Sequence, residues 1–349
     1  MAGQVASPEP IRTAIVGFGV SGRVFHAPFI ATHPSYSLDV IVTADPGRAG
    51  EAKLLHPAAS VVRDVDAVLT RAADLDLLVV ATPPASHHAI AAAALEAGLD
   101  VVVDKPFAVS AAAARDLTDR AQQLGRLLTV FQNRRWDGDF LTVRRLIDAG
   151  DLGEVRRFES RFEWFKPQPR PGWKSESSAA EGGGILFDLG AHLIDQALQL
   201  FGPAAEVYSE LATNRTGGMA DDDAFVALRH NSGVISHLWM NSITPQFGPR
   251  FRVLGSAAGF TTWGLDGQEA HLRAGGSPED DTYGITEEAR WGLLGVEGAV
   301  APYPTAHGDY GAFYRGLVAA IREGAPPPVD PVDPTLVLDL IDRIHEGRP

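Results

Sequence analysis

The turn that closes the first apolar segment constrains this chain more than any other feature. Ile11–Gly22 reads IRTAIVGFGVSG, a short strand-like run ending in Gly17, Phe18, Gly19, Val20, Ser21 and Gly22. This G-x-G-x-x-G spacing is that of a dinucleotide-binding turn. The first glycine permits the tight turn, the second lets a pyrophosphate approach the backbone, and the third lets the next helix pack closely on the sheet. That helix begins with unpaired N–H groups and a partial positive charge, both suited to phosphate. Glycine-rich turns occur in many settings; a strand before and a helix after supply the one this motif needs.

Strand and helix signals alternate through the first third of the chain. Thr13–Val16, Leu38–Val42, Leu75–Ala81, Val101–Val103 and Leu127–Phe131 read as strands, with helices between them near Arg23–Ala31, Gly47–Leu55, His87–Ala97 and Ala111–Leu124. Apolar runs such as LDLLVVA suit strands buried on both faces, and Gly98 stands where a helix would stop. The expected fold here is α/β, a doubly wound parallel sheet. After about Arg134 the pattern turns to Val155–Phe165, Glu206–Thr213, Ala224–Arg229, Val234–Asn241, Arg250–Leu254 and Gly259–Trp263, with a hairpin turn at Asn231–Gly233. These segments predict an antiparallel sheet with one face on a core, the other covered by helices or by another subunit. Two late helices are expected at Gly308–Glu323 and Leu336–His345. The expected division is residues 1–134 as the dinucleotide-binding domain and 135–349 as the substrate domain. Lys166–Gly184, rich in Pro, Ser and Gly, reads as a lid, and Gly275–Thr305 as an ordinary surface excursion.

The 349 residues suffice for two domains, and a net charge of −14 without a basic block argues against nucleic acid as a partner. An anionic cofactor must then be held by local amides and single basic residues. The absence of cysteine excludes disulfides, thiolate metal sites and a cysteine nucleophile, and fits a reducing cytoplasm. The N-terminal MAGQVASPEP lacks the pattern of a signal peptide, and no apolar run is long enough to span a bilayer. The expectation is a soluble cytoplasmic protein.

Several polar residues stand at the predicted ends of strands, where open α/β sheets bind ligands. The second strand ends at Val42-Thr43-Ala44-Asp45-Pro46. Asp45 comes late for the acid that grips the ribose of NAD, while the small Thr43 with Arg48 nearby suits a 2′-phosphate, which favours NADP over NAD. Asp45 can equally cap a helix opened by Pro46. Thr82, Pro83 and His87 follow the third predicted strand and are cofactor contacts or plain helix-opening residues. Asp104-Lys105-Pro106 follows the fourth. The Lys105 ammonium there can bond a hydroxyl and stabilise its developing alkoxide, or be solvated and paired with Asp104. Asp188 and His192 are four apart and share a helix face. His192 is a base candidate and Asp188 its orienter, the alternative being a core histidine and a capping aspartate. No third and fourth ligand stands at metal spacing, so no metal is assigned.

GFGVSG, ATPPASHHAIAAAALEAG, DKPFAV and GGGILFDLGAHLIDQ occur in an order that resembles the Gfo/Idh/MocA oxidoreductase family. FQNRRWDGDF, GFTTWGLDGQEAHL and GDYGAFYRGLVAAIREGAPPPVD resemble its branch of NADP-dependent scyllo-inositol dehydrogenases. The resemblance implies an N-terminal Rossmann domain, a C-terminal α/β domain on a large, mostly antiparallel open sheet, and homodimers or homotetramers formed through that sheet. By position, Lys105 matches the lysine of the family's Glu-Lys-Pro motif, with Asp104 in place of Glu, and Asp188 and His192 match its catalytic Asp and His. Ala44 departs from the arginine found there in many NADP-using members.

The expected activity is hydride transfer between a secondary alcohol of a cyclitol or sugar and NAD(P). Lys105 anchors the reacting hydroxyl, His192 takes its proton, and Asp188 orients His192 or a second hydroxyl. Asn133, Arg135, Trp136 and Trp173 are the pocket-wall candidates, an indole being able to pack on a sugar ring; core or interface packing is the alternative for the tryptophans. The rival readings are a non-catalytic dinucleotide sensor and an NAD-dependent, redox-neutral glycoside hydrolase.

Overall fold

A computed structural model describes residues 9–168 and 176–347 of this chain. Its first sheet comprises β1 (Ile11–Val16), β2 (Tyr36–Val42), β3 (Ser60–Val62), β4 (Leu77–Val80), β5 (Asp100–Asp104) and β6 (Leu128–Phe131). All pairs are parallel, in the order β3-β2-β1-β4-β5-β6. Leu77–Val80 and Val101–Val103 are fully buried because helices cover both faces. β3 escaped the sequence reading because it has three residues and begins with an exposed Ser60. The strand order reverses between β1 and β4, and the carboxyl ends of the strands at such a reversal are where open α/β sheets bind ligands.

Local chemistry fixes the connecting helices. Ser110 caps Ala111–Leu124 through the Ala113 N–H. His87–Glu96 ends at Gly98, whose φ of +85° lets the Leu99 N–H reach back to the Ala94 carbonyl at 3.0 Å.

The second sheet holds β7 (Val155–Glu163), β8 (Ala204–Ala212), β9 (Asp223–His230), β10 (Ile235–Asn241), β11 (Phe251–Gly255), β12 (Gly259–Thr262), β13 (Gly292–Val296) and β14 (Ala299–Tyr303). Their order is β14-β13-β12-β11-β7-β10-β9-β8, antiparallel throughout except for β7 beside β10. The β9–β10 hairpin turns at Gly233, with φ +88°. Inward residues of these strands, among them Phe158, Phe162, Val226, Leu238, Met240 and Phe251, are buried. Helix Ala191–Phe201 packs on β7 and β10. On the other face Phe225 and Trp239 pair at 5.2 Å, and the Arg161 guanidinium lies 3.9 Å over the Trp239 ring.

β13 and β14 correct the expectation for residues 275–305. Rather than a surface excursion, this stretch supplies a hairpin that extends the sheet at one edge. Its strands were hidden because Gly292, Gly295 and Pro302 interrupt the apolar alternation. Gly292 has a packing reason, since a Cβ there would run into the Phe260 ring.

The last two helices, Gly311–Glu323 and Val332–His345, return to the first sheet. Tyr36 Oη donates to the Tyr314 carbonyl at 2.8 Å, Thr129 Oγ1 to the Val329 carbonyl at 2.8 Å, and the Ala111 N–H to Asp342 at 2.8 Å. Among the described residues no helix is long and apolar enough to cross a membrane.

Candidate active site

The three glycines after β1 meet three different surroundings. Gly17 has φ +101°, and a Cβ there would come within 2.5 Å of the Ala81 carbonyl oxygen, so only glycine fits between the β1 and β4 ends. A Cβ on Gly22 would clash with the Gly17 carbonyl, which is why the helix from Ser21 can lie close to the turn. Gly19 faces open space, with only an Arg48 Nη1 at 3.8 Å from a built Cβ. Phe18 anchors the turn by burying its ring, 5.9 Å from His56, while Val20 stays exposed. Ser21–His26 is a π-helical turn that runs into the α-helix Ala27–Thr32. The Ser21 hydroxyl is buried without a hydrogen-bond partner among the described residues.

This arrangement fits a dinucleotide. The cradle at Gly19 is the space a side chain would fill, and the orphaned Ser21 hydroxyl can donate to a phosphate oxygen. At the end of β6, Gln132 Nε2 donates to the Ala191 carbonyl at 3.5 Å, while its Oε1 is buried without a partner among the described residues. That oxygen is a second orphan at the same sheet edge.

Beyond β2, Asp45 Oδ1 accepts the Arg48 N–H at 2.8 Å and caps the helix Pro46–Leu55. Its carboxylate therefore serves as a helix cap. Thr43 is buried beside it, and the Arg48 side chain reaches toward Gly19. Beyond β4, Thr82 Oγ1 accepts from Ser86 Oγ at 2.7 Å, and Pro83 is exposed. The His87 ring lies between two turns instead of facing outward: Nδ1 is 2.9 Å from the Pro106 carbonyl and Nε2 is 2.8 Å from the Thr82 carbonyl. His87 thus braces the β4 turn against the β5 turn, and burial lowers its pKa.

The β5 turn carries Lys105, joined to Pro106 by a cis peptide bond. Asp104 accepts the Lys105 backbone N–H at 2.8 Å. The Lys105 ammonium reaches across to the other half of the molecule, donating to the Asp188 carbonyl at 2.7 Å and to Asp188 Oδ1 at 3.0 Å. Both side chains keep some access, at 18% and 16% exposure. Asp188 lies in the π-helical turn Leu186–Gly190, which continues into Ala191–Phe201. His192, one turn on, is buried, and its Nδ1 lacks a partner among the described residues. Burial pushes its pKa well below the ordinary histidine value of 6.5; the Lys105 and Arg134 charges push the same way, and Asp188 opposes them. These effects favour the neutral imidazole.

Lys105, Asp188 and His192 thus share one site, and the glycine turn opens on the same sheet edge. Arg135 is committed elsewhere: it forks onto Asp195 at 2.8 and 2.6 Å and bonds Asp333 at 3.0 Å. Trp136 packs edge-on against Phe313 at 5.9 Å. Asn133 is buried beside them in the turn after β6. Trp173 lies outside the described residues, as do residues 169–175 of the expected lid. Trp164 was missed. It follows Phe158, Ser160 and Phe162 on the inward alternation of β7, and Phe162 lies 6.3 Å from His192. The Trp164 ring is 6.4 Å from Phe162, with the Lys166 ammonium 3.6 Å over it. The alternating pattern in RFESRFEW was the signal that could have found it. Among the described residues no group of three or more His, Asp or Glu is arranged to hold a metal.

Comparison with known proteins agrees with this geometry. Residues 11–132 match the model of the oxidoreductase family with an NAD-binding Rossmann fold, and residues 140–261 that of the GFO/IDH/MocA C-terminal domain. The chain is 33% identical to the scyllo-inositol 2-dehydrogenase (NADP(+)) IolW of Bacillus subtilis, over 97% of this chain and 94% of that one. It is 29% identical to the D-glucoside 3-dehydrogenase of Escherichia coli, over 67% and 70% of the two chains. The solved structure of Bacillus subtilis yvaA superposes with a TM-score of 0.91 at 32% identity, covering 98% of this chain and 97% of that one. Two sheets of these orders, a dinucleotide turn and matches to both family domains lead to one assignment: the chain belongs to the Gfo/Idh/MocA family of NAD(P)-binding oxidoreductases.

Proposed function

We propose that this protein is an NADP(H)-preferring dehydrogenase acting on a secondary alcohol of a cyclitol or sugar. The observation that carries the reading is the Lys105 ammonium held on Asp188 beside a neutral, buried His192. A sensor that only bound a dinucleotide would have no use for that trio. Relatives named for scyllo-inositol and D-glucoside dehydrogenation support the substrate class.

In this reading Gly17, Gly19, Gly22 and Ser21 hold the pyrophosphate, and Arg48 with Thr43 receives a 2′-phosphate. Thr82, Pro83 and Asp104 border the same edge. The nicotinamide, when bound, supplies the hydride acceptor. Lys105 donates to the substrate hydroxyl and stabilises negative charge as it develops on that oxygen. His192 takes the hydroxyl proton. Asp188 keeps Lys105 in place and bonds a neighbouring hydroxyl of the ring. Trp164 offers an apolar face at the pocket wall. Residues 1–134 form the cofactor domain and 135–349 the substrate domain, the outer sheet face around Phe225 and Trp239 being covered by a second copy.

The test follows nicotinamide absorbance with NAD and NADP in turn across inositols and aldoses, with Lys105→Met alongside. Turnover of one polyol that falls about 10²–10³-fold in the variant, with cofactor affinity kept, is the expected result. Cofactor binding without turnover of any polyol would reject the dehydrogenase in favour of a sensor. Glycoside cleavage without net cofactor reduction would identify the redox-neutral hydrolase. Light scattering on the same preparation reads the dimer or tetramer.

A further inference from the structure

The helix that carries Asp188 and His192 begins at Ile185, and its first free N–H groups face one residue from a distant part of the sequence. The Asp221 carbonyl accepts the Ile185 N–H at 2.8 Å, and Asp221 Oδ2 accepts the Leu186 N–H at 2.7 Å. One residue thus takes two successive amides, once through its backbone and once through its side chain. Gly184 makes room for it: φ is +99°, and a Cβ there would collide with Asp221 Oδ1. The Gly184 carbonyl in turn accepts the Asp188 N–H at 3.1 Å, so the clamp lies one hydrogen bond from the site aspartate.

Asp221 is itself held. It lies in the segment between β8 and β9, where the neighbouring Asp222 accepts the Asn214 and Arg215 N–H groups at 2.9 and 2.8 Å. The Arg215 guanidinium donates to the Lys166 and Ser242 carbonyls at 2.5 and 3.1 Å, which ties the segment to the chain leaving β7. On the other side His345 Nε2 is 3.9 Å from Asp221 Oδ1, and its ring packs 5.3 Å from Phe187, next to Asp188.

We propose that Asp221 is a positioning residue of the active site. It fixes the height and rotation of the Ile185–His192 turn, and so sets where the Asp188 carboxylate meets the Lys105 ammonium. An ordinary cap stabilises a helix end and leaves the rest to packing. Here the capped amides, those of Ile185 and Leu186, open the π-helical turn that itself carries Asp188, and as the first N–H groups of the helix they have no acceptor within it. The inference rests on the reading of Asp188 and His192 as catalytic, and the experiment separates the two.

The experiment compares Asp221→Asn, Asp221→Glu and Asp221→Ala with the wild type in steady-state kinetics, cofactor titration and amide hydrogen exchange. Asparagine keeps an acceptor of the same reach, whereas glutamate keeps the charge but adds a methylene where Gly184 already leaves no room. Alanine removes the acceptor. Alanine should lower kcat by about 10²-fold and glutamate by about tenfold, with cofactor affinity unchanged, while asparagine stays within about threefold of wild type. Slow exchange at the Leu186 amide should survive in asparagine and be lost in alanine. If alanine does not fold, the glutamate and asparagine pair gives the same contrast. Equal kcat in wild type and glutamate, or a loss in asparagine as large as that in glutamate, would overturn the proposal. Should the wild type turn over no alcohol, the reading of the reaction fails; the Leu186 amide then still decides whether Asp221 holds the turn, and unchanged exchange in alanine would reject it.

Discussion

Lys105 Nζ touches Asp188 twice, at its carbonyl oxygen and at Oδ1, although Lys105 follows a strand of the first sheet, Asp188 lies on a helical segment that packs on the second, and the two are far apart in sequence. A lysine beyond a buried strand would ordinarily extend into water. Here the ammonium is drawn across the crevice to an acceptor pair on the π-helical turn, and the next turn of that helix presents His192. The juxtaposition concentrates positive charge near an imidazole that burial already keeps neutral.

The pH profile follows from that electrostatic setting. In the proposed reaction the neutral imidazole is the base, so acidification should remove activity only below the His192 pKa in the folded protein. Burial and the Lys105 and Arg134 charges place that pKa well below 6.5. Alcohol oxidation, followed as kcat/KM, should hold level as pH falls through 6.5 and decline further down. An acid limb at or above 6.5 that vanishes in His192→Asn would show that the imidazole does not titrate as its burial requires.

Gly19 and Gly22 should fail in opposite ways. Gly19→Ala places its methyl in open space and should leave the melting temperature nearly unchanged while weakening dinucleotide binding by about tenfold or more. Gly22→Ala drives its methyl into the Gly17 carbonyl and should destabilise the fold by about 1–3 kcal/mol. Thermal melts beside cofactor titrations separate them. Two variants with the same profile would mean the two glycines do not divide the work.

Arg48 supplies the cation nearest Gly19, whereas Asp45 engages its Oδ1 in a helix cap. Arg48→Ala should weaken NADP binding by roughly 10–100-fold and leave NAD binding within about twofold. Because Arg48 is exposed, the difference should shrink as salt rises. Equal losses for the two cofactors would remove Arg48 from 2′-phosphate recognition.

Arg135 offers a contrast between pocket and scaffold. Its guanidinium forks onto the buried Asp195, so Arg135→Met leaves a carboxylate without its countercharge. The expected loss of stability is about 3–5 kcal/mol in urea unfolding. Substrate KM in the folded fraction should not change. A raised KM with full stability would return Arg135 to the pocket wall.

Much of this protein was legible before its structure. The roles of Gly17, Gly19 and Gly22 follow from local sterics, which a short sequence carries whole. The buried strands announced themselves as apolar runs, because a parallel sheet covered on both faces has no polar side. That Asp188 and His192 lie one turn apart on the same helical segment followed from their spacing, whereas the Lys105 ammonium on Asp188 Oδ1 did not. What sequence could not resolve was competition for a polar group, since both outcomes suit the same residue type. Asp45 caps a helix, His87 braces two turns, and Arg135 joins an ion pair, each by contacts that only the folded chain supplies. The edge strands β13 and β14 were invisible because glycine and proline break their pattern while neighbouring strands hold them in register. Sequence determined the first sheet's buried strands and the glycine turn, where one residue's sterics suffice. Tertiary structure decided which charges meet, because Lys105 finds Asp188, and Leu186 finds Asp221, only after two sheets have brought remote segments within hydrogen-bond reach.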